Sequence, residues 1–465
     1  MIKQLLERDF MLKSADTLRL SLEDTIQNAD SSPAIRELLE TEEVGKNDLS
    51  EAQNELLQAI RREEQRPQER EDKVSYFPRD PVMCLAQSSL QQYCEIKKPQ
   101  KILKRSEEIR AANQQGEIPV ADRELAADLR DFLSETRKRE LFKDFELADI
   151  GWANCTLASG LRSWRGRYPF KDKPATPYKI GNNARVILFS DWGSGLPRAQ
   201  KVSHEIRKAL LDPAEANRDK HVIHLGDVYY SGWAEEYETN FLPFWPVKEG
   251  EETKYSSWTL NANHDMYSGG KGYFDYLLGD ARFKPQENSS FFSLENDEWL
   301  LLGLDTGYHK KMFDPHDLYG EQNKWVDKTL TDAKDKTGIL LSHHQPFSAF
   351  EKGGEKILKK LRGPLARGLV RAWFWGHEHR CTLYKDRENV AYPRCIGHGG
   401  IPFYVKNDLL SAESGVIYEY RDGFDDLLES WNYFGFVILD FDGDQIHARY
   451  INERGAEHRQ ETITR

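Results

Sequence analysis

Five short polar segments, each directly after an apolar run, carry the residues able to do chemistry in this chain. In order they are Asp191-Trp192-Gly193, Gly226-Asp227-Val228-Tyr229-Tyr230, Asn261-Ala262-Asn263-His264-Asp265, Ser342-His343-His344-Gln345 and Gly376-His377-Glu378-His379. Each offers hard oxygen donors, imidazoles, or both, and runs such as RVILFS, HVIHL, ILLS and RAWFW before them read as buried strands. In an open α/β sheet, residues just past the carboxyl ends of neighbouring strands converge on one crevice. Together the segments hold enough donors for two cations sharing a carboxylate, a donor set suited to hydrolysis. A lone Asp-x-Gly or His-x-His would mean little, because strand-end aspartates cap helices and buried histidines commonly sit in cores. The ordered set is what carries the signal.

The elements that must position these segments occupy the second part of the chain. From ~183 the sequence alternates strand, loop and helix, with Gly, Asp, Asn and Trp at the junctions, as βα units do. EQNKWVDKTLTDA over 321–333 predicts an amphipathic helix leading into the strand GILLS. FGFVILDFDGDQIHARYI predicts a hairpin with Asp442-Gly443 at its turn. The expected fold class is α/β, a two-layered β core with helices outside.

Residues 1–180 differ in character. They are rich in Glu, Lys, Arg, Gln and Leu, with apolar residues at helical spacing in LLERDFMLKSADTLRLSLEDTI and DLSEAQNELLQAIRREEQ. Ser32-Pro33 reads as a helix start, REEQRPQEREDK as an exposed linker, and further helices are predicted over ~99–113 and ~121–145. This mostly α-helical region is expected either to pack as a helical lobe on the catalytic domain of 183–465 or to serve docking of a protein partner or self-association. Nothing in it looks catalytic.

Composition narrows the function classes. The chain has 465 residues, 31% of them charged, a formal net charge of -12 and a mean hydropathy of -0.72. No apolar run reaches the roughly 20 residues that span a bilayer, so no membrane partner is expected. The N-terminus lacks an apolar signal segment, which predicts a cytoplasmic location. Nor is there a strong nucleic-acid signature, because phosphate backbones are gripped by excess Lys and Arg. Cys84, Cys94, Cys155, Cys381 and Cys395 form no CxxC pair and read as reduced thiols.

Taken together, the five segments resemble the motif set of the calcineurin-like metallophosphoesterase superfamily, most closely its purple acid phosphatase branch. That branch carries Asp-x-Gly, Gly-Asp-x-x-Tyr, Gly-Asn-His-(Asp/Glu), a strand-end His and Gly-His-x-His. The resemblance covers roughly 183–465 and implies an α+β sandwich of two sheets flanked by helices. It implies two metal ions, iron paired with zinc, manganese or a second iron. One would be held by Asp191, Asp227, Tyr230 and His379, the other by Asp227, Asn263, His343 and His377. His343 is favoured over His344 because it directly follows ILLS; the reverse assignment stays open. Tyr230 would be a phenolate ligand, or would instead meet substrate or pack, whereas Tyr229, Tyr267 and Trp192 are expected to pack around the site.

His264 matches the family's catalytic histidine, with Asp265 expected to orient it. A hydroxide held by the metals would attack phosphorus in line. The implied activity is hydrolysis of a small-molecule or nucleotide phosphomonoester. Alternatives are a phosphodiesterase on the same site or an inactive scaffold. Two departures stand out: Ala262 replaces the glycine before Asn263, and Gln345 stands where many relatives have proline. His398, in a glycine-rich loop, and Arg380 read as a structural turn and a solvated cation, with contact to a substrate anion the alternative for each.

Overall fold

The computed structural model describes residues 8–28, 46–67, 83 and 167–465, apart from 230, 309–315, 352, 403–413 and 426–429. The helices expected over ~99–113 and ~121–145 and the helix start at Ser32-Pro33 lie outside the described residues. The chain divides into two compact units, Met1–Asp149 with Phe424–Ser430, and Ile150–Gly423 with Trp431–Arg465.

In the first unit, helices Arg8–Asn28 and Lys46–Gln65 pack on each other. Met11 and Ala15, one turn apart on one helix, and Leu56, Ala59 and Ile60 on the other are buried. Arg8 donates to the Glu64 and Arg66 carbonyls (3.3 and 2.9 Å), so a cation closes the carbonyl end of the second helix. No helix of the described residues is long and apolar enough to cross a membrane.

The second unit is built on two mixed sheets. Its strands are β1 (Tyr178–Lys179), β2 (Arg185–Phe189), β3 (Lys220–His224), β4 (Tyr255–Thr259), β5 (Phe292–Glu295), β6 (Trp299–Leu304), β7 (Thr337–Ser342), β8 (Val370–Trp375), β9 (Cys381–Tyr384), β10 (Tyr392–Ile396) and β11 (Val416–Glu419). Three long strands follow: β12 (Gly435–Asp442), β13 (Gln445–Asn452) and β14 (Glu457–Thr464). One sheet has the order β1-β5-β6-β7-β8-β10-β9-β11 and the other β14-β13-β12-β2-β3-β4. β2, β3 and β4 run parallel, as do β6, β7 and β8.

Strand periodicity explains the layering. Val186 and Leu188, Leu301, Ile339 and Leu341, and Ala372 and Phe374 share one core that takes residues from both sheets. Their neighbours Leu300, Leu302, Leu304, Leu340, Trp373 and Trp375 form a second core with helices Gln322–Asp332 and Glu355–Ala366, through Val326, Leu330, Ile357, Leu361 and Leu365. Both faces of the central strands are therefore buried, which is why they read as unbroken apolar runs. The hairpin falls where its alternation places it: β12 and β13 pair antiparallel from Gly435↔Asn452 to Asp442↔Gln445, with Gly443 at φ 60° in the turn.

Candidate metal centre

Each polar segment sits at the carboxyl end of a parallel strand: Asp191 after β2, Asp227 after β3, Asn263 and His264 after β4, His343 and His344 after β7, and His377 and His379 after β8. The two sheets thereby aim their strand ends at one buried crevice. Asp191, Asp227, His343 and His344 are at most 1% exposed, Asn263 8%. Four of these residues take left-handed backbone: Asp191 (φ 56°), Asp227 (φ 76°), His377 (φ 68°) and His379 (φ 49°). Gly226 precedes Asp227 at φ 105°, and a Cβ there would lie 2.7 Å from that of Ala262. The Ala262 methyl group thus fits only because its neighbour is glycine.

The donors form groups that share members. Asp227, His343 and His377 bring one ligand atom each within 4.8 Å of one another, and so do Asp191, Asp227 and His379. Asp227 belongs to both. His343 Nε2 lies 3.2 Å from Asp227 Oδ2 and 3.1 Å from Asn263 Oδ1, while its Nδ1 is 3.0 Å from the Leu225 carbonyl, which fixes the ring. His379 Nε2 is 3.5 Å from Asp191 Oδ1, and the His377 amide donates to Asp191 Oδ2 at 2.9 Å.

Electrostatics matches this crowding. Burial and the charge of Asp227 push the Asp191 carboxyl up to about 7. Burial also opposes ionisation of Asp227, but His343 and His264 hold it below the usual carboxylate range. His343 would be lowered by burial, yet Asp227 and Asp191 raise it to about 9. Burial takes His379 down to about 3. Carboxylates and imidazoles with opposed shifts, crowded into one buried space, mark it as a place where ionisable donors converge.

Residues 184–381 match the model of the calcineurin-like phosphoesterase family. The chain carries a calcineurin-like phosphoesterase domain. It is similar to tartrate-resistant acid phosphatase type 5 of Oryctolagus cuniculus, 24% identical over 230 residues that cover 45% of this chain and 70% of that protein. Among solved structures it is similar to GAP50, the anchor in the inner membrane complex of Plasmodium (TM-score 0.43, 11% identity, 60% of this chain and 88% of that one). A further likeness is to Vps29 of Chaetomium thermophilum (TM-score 0.23, 11% identity, 61% and 98%).

Within the phosphoesterase domain the structure differs from the sequence reading at several residues. Tyr230 lies outside the described residues. Among the described residues a phenol does reach the crevice, that of Tyr229: its hydroxyl lies 3.2 Å from Asp191 Oδ1, 2.9 Å from Asp227 Oδ2 and 3.0 Å from His379 Nε2. Tyr229 was expected only to pack. Burial and the two carboxylates hold its hydroxyl well above the ordinary tyrosine range, so it is a neutral donor unless a cation stands beside it. Trp192 packs as expected, against Phe189 and Phe241.

Asp265 does not turn toward the His264 ring. Its Oδ2 accepts from the Asp227 and Ala262 amides (3.3 and 2.9 Å) and its Oδ1 from the Tyr237 hydroxyl, so it clamps the backbone beneath the site. Arg380 is paired with Glu419 at 3.3 Å and lies over the Phe350 ring. Cys381 and Cys395 are buried free thiols.

Two residues escaped the sequence reading. His316 stacks on His344 (ring centroids 3.7 Å) and forms a third donor group with His344 and His377. Thr306 holds His344 through both its Nδ1 and its amide (3.0 and 3.1 Å). His316 lies in a connecting segment with no local pattern to mark it, whereas Thr306 stands two residues past β6 in Asp305-Thr306-Gly307, so the strand-end position after WLLLGL was the signal available for it.

Proposed function

We propose that the domain is a dinuclear metal-dependent phosphoesterase acting on phosphomonoesters, with iron and a divalent partner (zinc, manganese or iron) at its centre. The observation that carries this reading is the pair of donor groups sharing Asp227. Asp191, Asp227, His379 and the Tyr229 phenol suit a hard cation; Asp227, Asn263, His343 and His377 suit a borderline divalent one. When bound, such a pair supplies Lewis acidity toward phosphate oxygens and acidifies a water.

The chain's own residues do the rest. Asp227 is held from both sides, by the His264 amide on Oδ1 (3.1 Å) and by the Tyr229 hydroxyl on Oδ2. His264, 4% exposed, is wedged between the Tyr229 and Tyr267 rings (4.4 and 4.7 Å), which leaves its imidazole few orientations. Its role is to hand a proton to the leaving oxygen. His344, fixed by Thr306 and flanked by His316, faces the same space and meets a phosphate oxygen as donor.

The test is metal analysis with turnover of p-nitrophenyl phosphate against its bis ester. Faster cleavage of the monoester is expected, with loss of both metal and turnover in Asp227→Asn. Unchanged turnover in that variant would end the reading, and preference for the bis ester would make the domain a diesterase.

A further inference from the structure

Behind the phosphoesterase centre lies a second group of donors that the reaction does not use. Cys381 opens β9, His398 follows β10 in the loop Gly397-His398-Gly399-Gly400, and His458 lies on β14. One ligand atom from each falls within 4.8 Å of the others. We propose that Cys381, His398 and His458 form a zinc site of their own, distinct from the dinuclear centre.

Three observations support it. Cys381 and His398 are 1% and 2% exposed, so two of the three donors are shut away from solvent. Neither ring nitrogen of His398 completes a hydrogen bond of good geometry, its one backbone interaction being with Ile396, and His458 Nε2 has no partner among the described residues. A buried imidazole left unbonded keeps the desolvation penalty of its polar atoms uncompensated. Such a cost in a core is explained when a cation takes the lone pairs. Finally, His458 is oriented as metal-binding histidines are: its Nδ1 meets the Tyr418 hydroxyl at 2.9 Å and its ring stacks on Tyr420 at 3.6 Å, which presents Nε2 as the donor.

One thiolate and two neutral imidazoles select a borderline-soft cation; magnesium, calcium and manganese prefer oxygen. Tetrahedral zinc places such donors roughly 3.3–3.6 Å apart, so the three would close by about an ångström. Binding breaks the Cys381 S–H bond, releases that proton to solvent and forms a Zn–S bond; no electron is transferred. The fourth position is a water reached from the partly exposed His458. The site would brace the metal centre from behind. Cys381 is two residues past His379, and a Cβ on Gly397, beside His398, would lie 3.0 Å from Asp191 Oδ2.

Cobalt separates this site from the dinuclear one, which contains no sulfur. Full-length protein purified free of metal and loaded with Co²⁺ should show a near-ultraviolet thiolate-to-cobalt band. The band should persist in Cys395→Ala and vanish in Cys381→Ser. Tyr418→Phe keeps all three ligands and should weaken cobalt binding at this site roughly 10–100-fold, which keeps the test valid if the cysteine variant misfolds. No band in the wild type, a band retained in Cys381→Ser, or unchanged affinity in Tyr418→Phe would overturn the proposal. Turnover enters none of these readings, so they stand apart from the phosphoesterase assignment.

Discussion

Replacing Gly376 by alanine should cripple the metal centre while leaving the fold in place. Gly376 joins β8 to His377, and its φ is not left-handed, so alanine meets no backbone penalty there. The obstacle is space. A Cβ would stand 1.9 Å from Ser190 Oγ, 2.7 Å from Ser190 Cβ and 2.6 Å from Asp191 Oδ2. The hydroxyl can rotate away; Ser190 Cβ and the carboxylate cannot. With 3.4 Å as the start of ordinary contact, Asp191 Oδ2 must retreat by 3.4 − 2.6, or 0.8 Å. Overpacking of this kind costs about 1–3 kcal/mol, and a catalytic group misplaced by about 1 Å loses on the order of 10²-fold in rate. Gly368→Ala is the matched control. Its φ of 67° strains alanine by roughly 1–2 kcal/mol, yet no atom lies within 4 Å of the added Cβ. Urea midpoints should fall comparably in the two variants. Only Gly376→Ala should lose bound metal and about 10²-fold in kcat/KM on p-nitrophenyl phosphate. Full metal content with kcat/KM within a few-fold of wild type would refute the packing argument.

Other substitutions probe separate links. His343→Ala should lose one metal per chain by elemental analysis, whereas His344→Ala should keep both and lose turnover, since only His343 groups with Asp227. Equal metal loss in the two would assign His344 as a ligand. Tyr229→Phe keeps the ring against His264 and removes the hydroxyl shared by Asp191, Asp227 and His379; metal affinity should drop about tenfold or more, and any phenolate-to-iron colour should vanish. Colour lost instead in Tyr230→Phe would restore the sequence expectation. Asp440→Asn should cost about 1–3 kcal/mol in urea unfolding, because Arg185, 1% exposed, loses a carboxylate bonded at 2.6 and 2.9 Å while keeping Glu215 at 3.3 Å and the Ala209 carbonyl at 3.2 Å. Burial raises Asp440, but the Arg185 hydrogen bonds and charge lower it further, leaving it below the usual carboxylate value. A depressed folded pKa contributes stability above the unfolded value of about 3.9 and loses it as pH falls through the folded one. Wild type should therefore lose more stability than Asp440→Asn between pH 7 and pH 3; equal losses would exclude the pair as the cause.

Much of the site could be read before the fold was known. Strand-end position is a local property, and parallel strands bring such ends together whatever their separation in the chain, so Asp191, Asp227, Asn263, His343, His377 and His379 meet as their spacing suggests. The tyrosine is different. Gly226 and Asp227 both take positive φ, and the Tyr229 amide pairs with the Gly193 carbonyl at 3.0 Å. That turn brings the Tyr229 phenol to the carboxylates, and nothing in the local sequence itself reports it. Asp265 misled for a related reason: beside a histidine it resembles an orienting carboxylate, but the free amides of Ala262 and Asp227 lie closer. Cys381, His398 and His458 come from three separate elements, so only tertiary packing shows that they are neighbours.

The backbone itself argues that the crevice is built for ligands. Eight non-glycine residues among those described have positive φ. Glu287-Asn288 and Glu388-Asn389 are exposed neighbours, the second pair closing a tight turn between Arg387 and Val390. Paired positive φ is what such turns require, so these four have a local cause. Asp191, Asp227, His377 and His379 have none. They follow buried strands, and none is paired with a second non-glycine residue of positive φ, although Gly226 at φ 105° precedes Asp227. At about 1–2 kcal/mol each, the four together cost roughly 4–8 kcal/mol, comparable with the whole stability of many domains. Strain of that size persists only where the surroundings over-determine it. Here the surroundings are specific: the Asp191 amide bonds to the Gly226 carbonyl at 3.0 Å, the Asp227 amide to Asp265, and the His377 amide to Asp191. Three of the four strained residues are thus held through their own amides. A core indifferent to cations would have no reason to keep two aspartates and two histidines in that posture, and membership of the two donor groups that share Asp227 is what all four have in common.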